Sequence, residues 1–491
     1  MADRDRVIRG SVSPAGGLAL TAAFLFSLGG HASGQAYPQT PLTSQVDELF
    51  AEWDTEDGPG AALGIFRDGR IVYAQGYGVA NLDYGIPMTP KSVLRIGSIS
   101  KQFVAMCIAI LQEQGRLSFD DDIRIHLPEM RDYGEPITIR HLLHHTSGVR
   151  EYLTLADLIG RPEGSVFGVY TTRELMELLA RQEALDFESG DRFSYTNSGY
   201  FLLAEIVTRV SGMKASAFAA ENVFGPLGMS HTRFYDDPNA IIPNKAQGYS
   251  PTPDGGYRLD ILRSEVIGDL GVITTVEDLL HWDNNFYENK LGAGSDDLIA
   301  TMSERGRTAA GVELTYALGL EFGSYRGLST MGHSGSAVGY VAQFLQFPEQ
   351  RFSVVVLSNL STFGPGRLAR RVADLYLADL FTEPMASGGQ TRARPMPPEA
   401  VTLSMAELEA FVGDFYSEEL DISYSFDVRG GGLQLELRGN RTTLRPYPDD
   451  RFGWGRRELI FDRDQRGLVF GFTLEAGGVQ GLRFRKVAGA R

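Results

Sequence analysis

Cysteine is almost absent: Cys107 stands alone in 491 residues. An intrachain disulfide is excluded, so the fold must hold by core burial, which a chain this long can supply. Positive charge is short as well. Lys and Arg total 46 against 62 Asp and Glu, a formal net charge of -16. That balance argues against nucleic acid and against anionic membrane surfaces as partners. Beyond the first 36 residues no apolar run reads as a membrane span. H-E-x-x-H and C-x-x-C are both missing, which leaves a metal site without a motif. G-x-S-x-G is missing too, so a nucleophile elbow is unsupported. No glycine loop with a partner lysine is present to cradle phosphate.

What is there begins with a leader. Arg4, Arg6 and Arg9 precede the apolar stretch "GLALTAAFLFSLGG" and then small residues, "HASGQA". This order predicts a signal peptide over 1–36, cleaved after Gly34 or Ala36, and a secreted or periplasmic protein. Losing it removes three Arg and two Asp, making the net charge one unit more negative. Residues 61–77 predict two strands around Asp68-Gly69, a hairpin turn. In "GSISKQFVAMCIAILQEQG", Phe103, Cys107, Ile110 and Leu111 recur at helical spacing, and Gly115 predicts the stop. Further helices are expected at 200–212, at 274–287 and after residue 365, with strands at 339–347 and 351–360. The Gly-, Pro- and Ser-bearing stretch at 386–400 has linker composition. Beyond it, alternation at Ile422/Tyr424/Phe426/Val428 and Leu433/Leu435/Leu437 predicts a small antiparallel β domain, a barrel or curled sheet, over 401–491.

Three short stretches can carry chemistry. In "GSISKQF" (97–103), Ser98 and Lys101 stand one helical turn apart at a strand-to-helix junction, so they share a face. A serine hydroxyl is a poor nucleophile until a neighbour takes its proton. A lysine can take it once desolvation lowers its pKa. Ser100 is a rival by composition but has no basic residue three positions on. In "FSYTNSGY" (193–200), Tyr195 and Asn197 can face one cleft; a tyrosine near a lysine can become phenolate-like and shuttle protons. In "MGHSGSAVGY" (331–340), Gly332, Gly335 and Gly339 allow close backbone approach, and His333 could contact substrate or pass protons. His141 and His145 in "HLLHH" form an i, i+4 pair that could cap, pack or bind metal.

Taken in this order, Ser-x-x-Lys, Tyr-x-Asn and His-x-Gly resemble the serine β-lactamase and penicillin-binding-protein superfamily, on its class-C-like branch of esterases and peptidases. "ITIRHLLHHTSGV" (137–149), "VFGPLGMSHTRF" (223–234) and "GDLGVITTVEDLLHW" (268–282) fit the same branch. The likeness covers roughly residues 45–385. It implies an α/β fold (α+β): an antiparallel sheet flanked by helices, plus a helical subdomain, within a catalytic domain at 37–385. It also implies acyl transfer. Ser98 would attack a carbonyl, with Lys101 and Tyr195 sharing the base and acid work. The amides of Ser98 and Ser336 would form the oxyanion hole. Asn197 would hold Lys101 and the substrate amide, and His333 and Gly335 would line the pocket. Neither a metal nor an organic cofactor is required. The third motif departs from the β-lactamase Lys-Thr-Gly, and a histidine there supplies a weaker, pH-dependent charge. His-x-Gly resembles the D-aminopeptidase type, whose substrates carry a free amine. Small or short-peptide amides, including D-residues, are therefore the first expectation. Esters follow, then β-lactams. From another class, a non-turnover cell-wall or β-lactam binder remains an alternative. No feature of the sequence fixes the oligomeric state.

Overall fold

The first hairpin forms where the sequence puts it. Strands β1 (Ala61–Arg67) and β2 (Arg70–Tyr77) pair antiparallel across Asp68 and Gly69, at φ 51° and 76°. Positive φ at both positions matches the turn to the twist of its strands. The computed structural model describes residues 39–161, 171–385 and 399–487. The expected leader and most of the expected linker lie outside the described residues.

Strands β3 (Glu321–Tyr325), β4 (Leu328–Ala337), β5 (Tyr340–Phe347) and β6 (Phe352–Ser358) complete a six-stranded sheet, antiparallel throughout, in the order β3-β4-β5-β6-β1-β2. Five helices frame it: α1 (Pro41–Phe50), α2 (Lys101–Glu113), α3 (Asn197–Ser211), α4 (Val276–Asn285) and α5 (Pro365–Tyr376). Alternate strand residues point to opposite faces. Leu63, Ile65, Val354 and Val356 meet Val46 and Phe50 of α1 and Leu368 and Val372 of α5. Ala62, Phe66, Val355 and Leu357 share the other core with Phe103 of α2 and with Leu279 and Trp282 of α4. Both faces are covered, which is why β6 reads as a nearly continuous apolar run. Helix α2 is buried from Lys101 to Leu111. A helix apolar on nearly every side belongs inside the molecule, and this one runs through its centre. Gly115, at φ 66°, follows its end as expected.

The C-terminal alternation builds a nine-stranded antiparallel meander from Gly413 to Lys486. Its first strand pairs with its last, and the ring opens only between Asn440–Thr443 and Arg445–Tyr447. The result is a near-closed barrel around Phe415, Phe426, Phe461 and Phe472, whose rings meet at centroid distances of 5.2–5.7 Å.

The described residues form one compact unit. The barrel docks on segments 150–161 and 182–186. Buried Arg150 donates to both oxygens of Glu419 (2.7 and 2.9 Å) and to the Gln480 carbonyl (2.7 Å). Tyr424 donates to the Leu158 carbonyl (2.7 Å), and Asp186 accepts from the Gln480 amide (2.7 Å).

Candidate active site

Ser98 lies in a single 3-10 turn, Gly97–Ser100, that runs straight into α2. Gly97 makes the entry at φ 53°, a conformation costly for any side chain. Strand β4 then crosses this turn at close range. A Cβ on Gly97 would sit 2.4 Å from the Ser336 nitrogen, and one on Gly335 would sit 1.9 Å from the Ile96 carbonyl oxygen. The same Gly335 position lies 3.3 Å from the Ser98 nitrogen. Two missing side chains thus let the backbones around Ser98 and Ser336 pack this closely. Gly335 supports the backbone approach and offers no side chain to the pocket.

Lys101 is fully buried one turn on. Its Nζ donates to Ser98 Oγ (3.2 Å), Asn197 Oδ1 (2.7 Å) and the Asp269 carbonyl (3.0 Å). It also faces the rings of Tyr195 (4.8 Å) and Tyr200 (5.6 Å). Burial lowers its pKa to about 8, against the opposing pull of Asp269 and Glu151. Ser100, the rival serine, is buried and accepts from the Val272 amide (3.0 Å), a structural bond.

Tyr195 stands just before α3. The residue is 38 % exposed, and its hydroxyl faces Ser98 closely enough for Ser98 to lower its pKa. Burial of that hydroxyl raises its pKa well above the ordinary phenol value, and the Ser98 contact offsets this only in part. Burial thus works against the phenolate-like tyrosine expected from the sequence and favours the free amine of Lys101.

Asn197 opens α3, and its amide is largely occupied. The oxygen accepts from Lys101, and one N–H donates to Glu151 Oε1 (3.3 Å), while the Asn197 backbone N–H donates to Glu151 Oε2. It holds the lysine. The expected grip on a substrate amide has only one remaining N–H to draw on. Asp269 is buried too, and burial raises its pKa to about 6. Tyr152 donates to its Oδ2 (2.8 Å).

His333 lies on β4, 2 % exposed. Its Nδ1 contacts the Ser334 carbonyl, an acceptor only, so the proton is assigned there. Nε2 then accepts from the Tyr316 hydroxyl (3.2 Å). Burial pushes the pKa of His333 down to about 4, and Lys101 pushes the same way. The expectation of a weak positive charge at this position is overturned: desolvation keeps the ring neutral at pH 7.

The two other candidate histidines do not form a pair. Helix Ile139–Leu143 ends before His145, which turns to φ 57°. His141 Nδ1 accepts from the Thr138 amide as part of a capping box (3.2 Å). His145 packs among Tyr195 (4.3 Å), Tyr316 (4.7 Å) and Tyr200 (5.2 Å). Among the described residues no group of three or more His, Cys, Asp or Glu side chains could hold a metal ion, and no helix is long and apolar enough to cross a membrane.

The sequence reading missed Glu151, Asp269 and Tyr316. Asp269 sits inside "GDLGVITT", a stretch noticed only for its family resemblance. Glu151 and Tyr316 carried no local signal; they matter because of what folds against them.

The six-stranded sheet, the α2 serine turn and the β4 crossing define a member of the Beta-lactamase family, and the chain belongs to it: the family model matches residues 46–378. Within that family, a D-aminopeptidase of Gluconobacter oxydans (strain 621H) is 28 % identical over 302 residues, 62 % of this chain and 56 % of the relative. The chain thus matches little more than half of that relative's length. The octameric penicillin-binding protein homologue from Pyrococcus abyssi superposes with a TM-score of 0.60 at 25 % identity, covering 91 % of this chain and 99 % of the other. A D-stereospecific amidohydrolase from Streptomyces sp. shares the fold, with a TM-score of 0.55 at 21 % identity, over 70 % and 99 % of the two chains.

Proposed function

We propose that this protein is a serine hydrolase that cleaves small peptides or amides through an acyl-enzyme on Ser98, preferring substrates with a free amine, D-residues among them. One observation carries the reading. The Ser98 hydroxyl accepts from a buried lysine amine with a pKa near 8, and the Tyr195 phenol faces the same serine. Roughly a tenth of such amines are unprotonated at pH 7. In that fraction Lys101 accepts the Ser98 proton as Oγ bonds to the substrate carbonyl carbon. The charge on the carbonyl oxygen falls between the amides of Ser98 and Ser336. Tyr195 passes a proton to the leaving nitrogen as the C–N bond breaks and is reprotonated from Lys101. Water then repeats the sequence, with Ser98 as leaving group. The D-aminopeptidase relative supports the choice of amide over ester. A neutral His333 disfavours substrates with a free carboxylate, which would find no cation there.

The test is a panel of L- and D-amino acid p-nitroanilides, p-nitrophenyl esters and nitrocefin, run on wild type and Ser98→Ala. Turnover of the anilides that Ser98→Ala abolishes supports the reading. Full turnover by Ser98→Ala ends it. Hydrolysis confined to the esters makes the protein an esterase, and labelling without turnover makes it a binder.

A further inference from the structure

A substrate with a free amine brings a cation into the cleft, and the cleft must hold it. Lys101 cannot. His333 is neutral, with both ring nitrogens engaged. One carboxylate, Glu321, is placed differently. It opens the edge strand β3 and pairs in register with Gly332, next to His333. Its Oε1 lies 3.9 Å from His333 Nε2, and its side chain is 54 % exposed. Burial raises its pKa and Arg370 opposes this through space, and among the described residues its one ion-pair contact is the uncharged His333. His333 Nε2 in turn accepts from Tyr316, and the His333 ring lies 6.1 Å from that of Tyr195, so Glu321 stands beside the same cluster. Aromatic faces line the same rim. Phe193 is 41 % exposed and Tyr195 38 %, and each packs on Tyr316, with centroids 5.8 and 6.2 Å apart. An accessible carboxylate beside aromatic faces is a site for an ammonium group.

We propose that Glu321, with the exposed faces of Phe193 and Tyr195, binds the substrate's α-ammonium group and so selects free-amine substrates over N-acylated ones. This rests on the amidase reading for its biological meaning, but its test does not. A substrate whose free carboxylate approached this edge would meet repulsion instead.

Binding separates the two claims. D-Phenylalanine amide and N-acetyl-D-phenylalanine amide are titrated by calorimetry into Ser98→Ala protein, with and without Glu321→Gln. Preference for the ammonium ligand, falling about 10-fold in Glu321→Gln, supports the proposal. No preference in the parent, or an equal change for both ligands, overturns it. Turnover is read separately on protein with Ser98 intact, as the ratio of kcat/KM for D-alanine p-nitroanilide to that for its N-acetyl form. That ratio should fall about 10-fold in Glu321→Gln, mostly through KM. If neither anilide is cleaved but the ammonium preference in binding holds, the amidase reading fails while the assignment of Glu321 stands.

Discussion

At the residue scale, the chemistry depends on which of two groups beside Ser98 is the weaker acid. Burial lowers the pKa of Lys101 and raises that of Tyr195, because in each case it disfavours the charged form. In the proposed mechanism the free amine of Lys101 is the active form, so kcat/KM should rise with pH along a limb centred near 8. Asp269 holds that limb up, since its negative charge favours the ammonium. Asp269→Asn should therefore move the limb to lower pH, as read in a pH profile against a fixed substrate. A limb that stays in place or moves upward would show that Asp269 does not act on Lys101. Tyr195→Phe removes the proton relay but keeps the ring, so kcat should drop about 10²–10³-fold with KM little changed, as steady-state kinetics would show. The motif residues here were legible because short spacings on one turn, or on one extended segment, put them on a common face. Asp269 and Glu151 were not legible, because they reach Lys101 from segments far along the chain.

At the scale of elements, the site is a crossing of a strand and a helix start. Neither element alone forms an oxyanion hole. β4 passes the 97–100 turn only because Gly97 and Gly335 have no Cβ. Gly335→Ala would drive a methyl into the Ile96 carbonyl, and the two segments must separate. One donor then leaves the spot where charge develops, so kcat should fall about 10²–10³-fold. The expected result is lost turnover with a near-normal far-ultraviolet circular dichroism spectrum, since the sheet is anchored by its other strands. The elements themselves were largely visible beforehand. The 61–77 hairpin, the α2 helix and the alternating C-terminal strands all follow from period and turn chemistry, which act within a few residues. The short helix ending at Leu143 was harder to place, because the two histidines look like an i, i+4 pair until the backbone turns at His145.

At the scale of the whole molecule, the barrel is joined to the site by buried charge. Glu419 accepts from Arg150 and from the Glu183 amide (2.8 Å), and the next residue after Arg150 is the Glu151 that holds Asn197. The Arg150 carbonyl also accepts from Ser198 Oγ (2.6 Å) at the start of α3. Removing Glu419 leaves the buried Arg150 only the more distant Asp186 carboxylate, 3.6 Å from its Nε. Glu419→Ala should cost about 3–5 kcal/mol in chemical denaturation, and Glu419→Gln less, since it keeps an acceptor. A loss below about 1 kcal/mol for Glu419→Ala would place this pair with exposed ion pairs instead. The sequence by itself determined the kinds of elements, the grouping of Ser98 with Lys101, and the barrel, because periodicity, turn residues and motif spacing are local properties. Only the tertiary structure decided the protonation of Lys101, Tyr195 and His333, the acids around the lysine, and the contact between barrel and site. Those depend on burial and on distances between remote segments, and no local pattern encodes either.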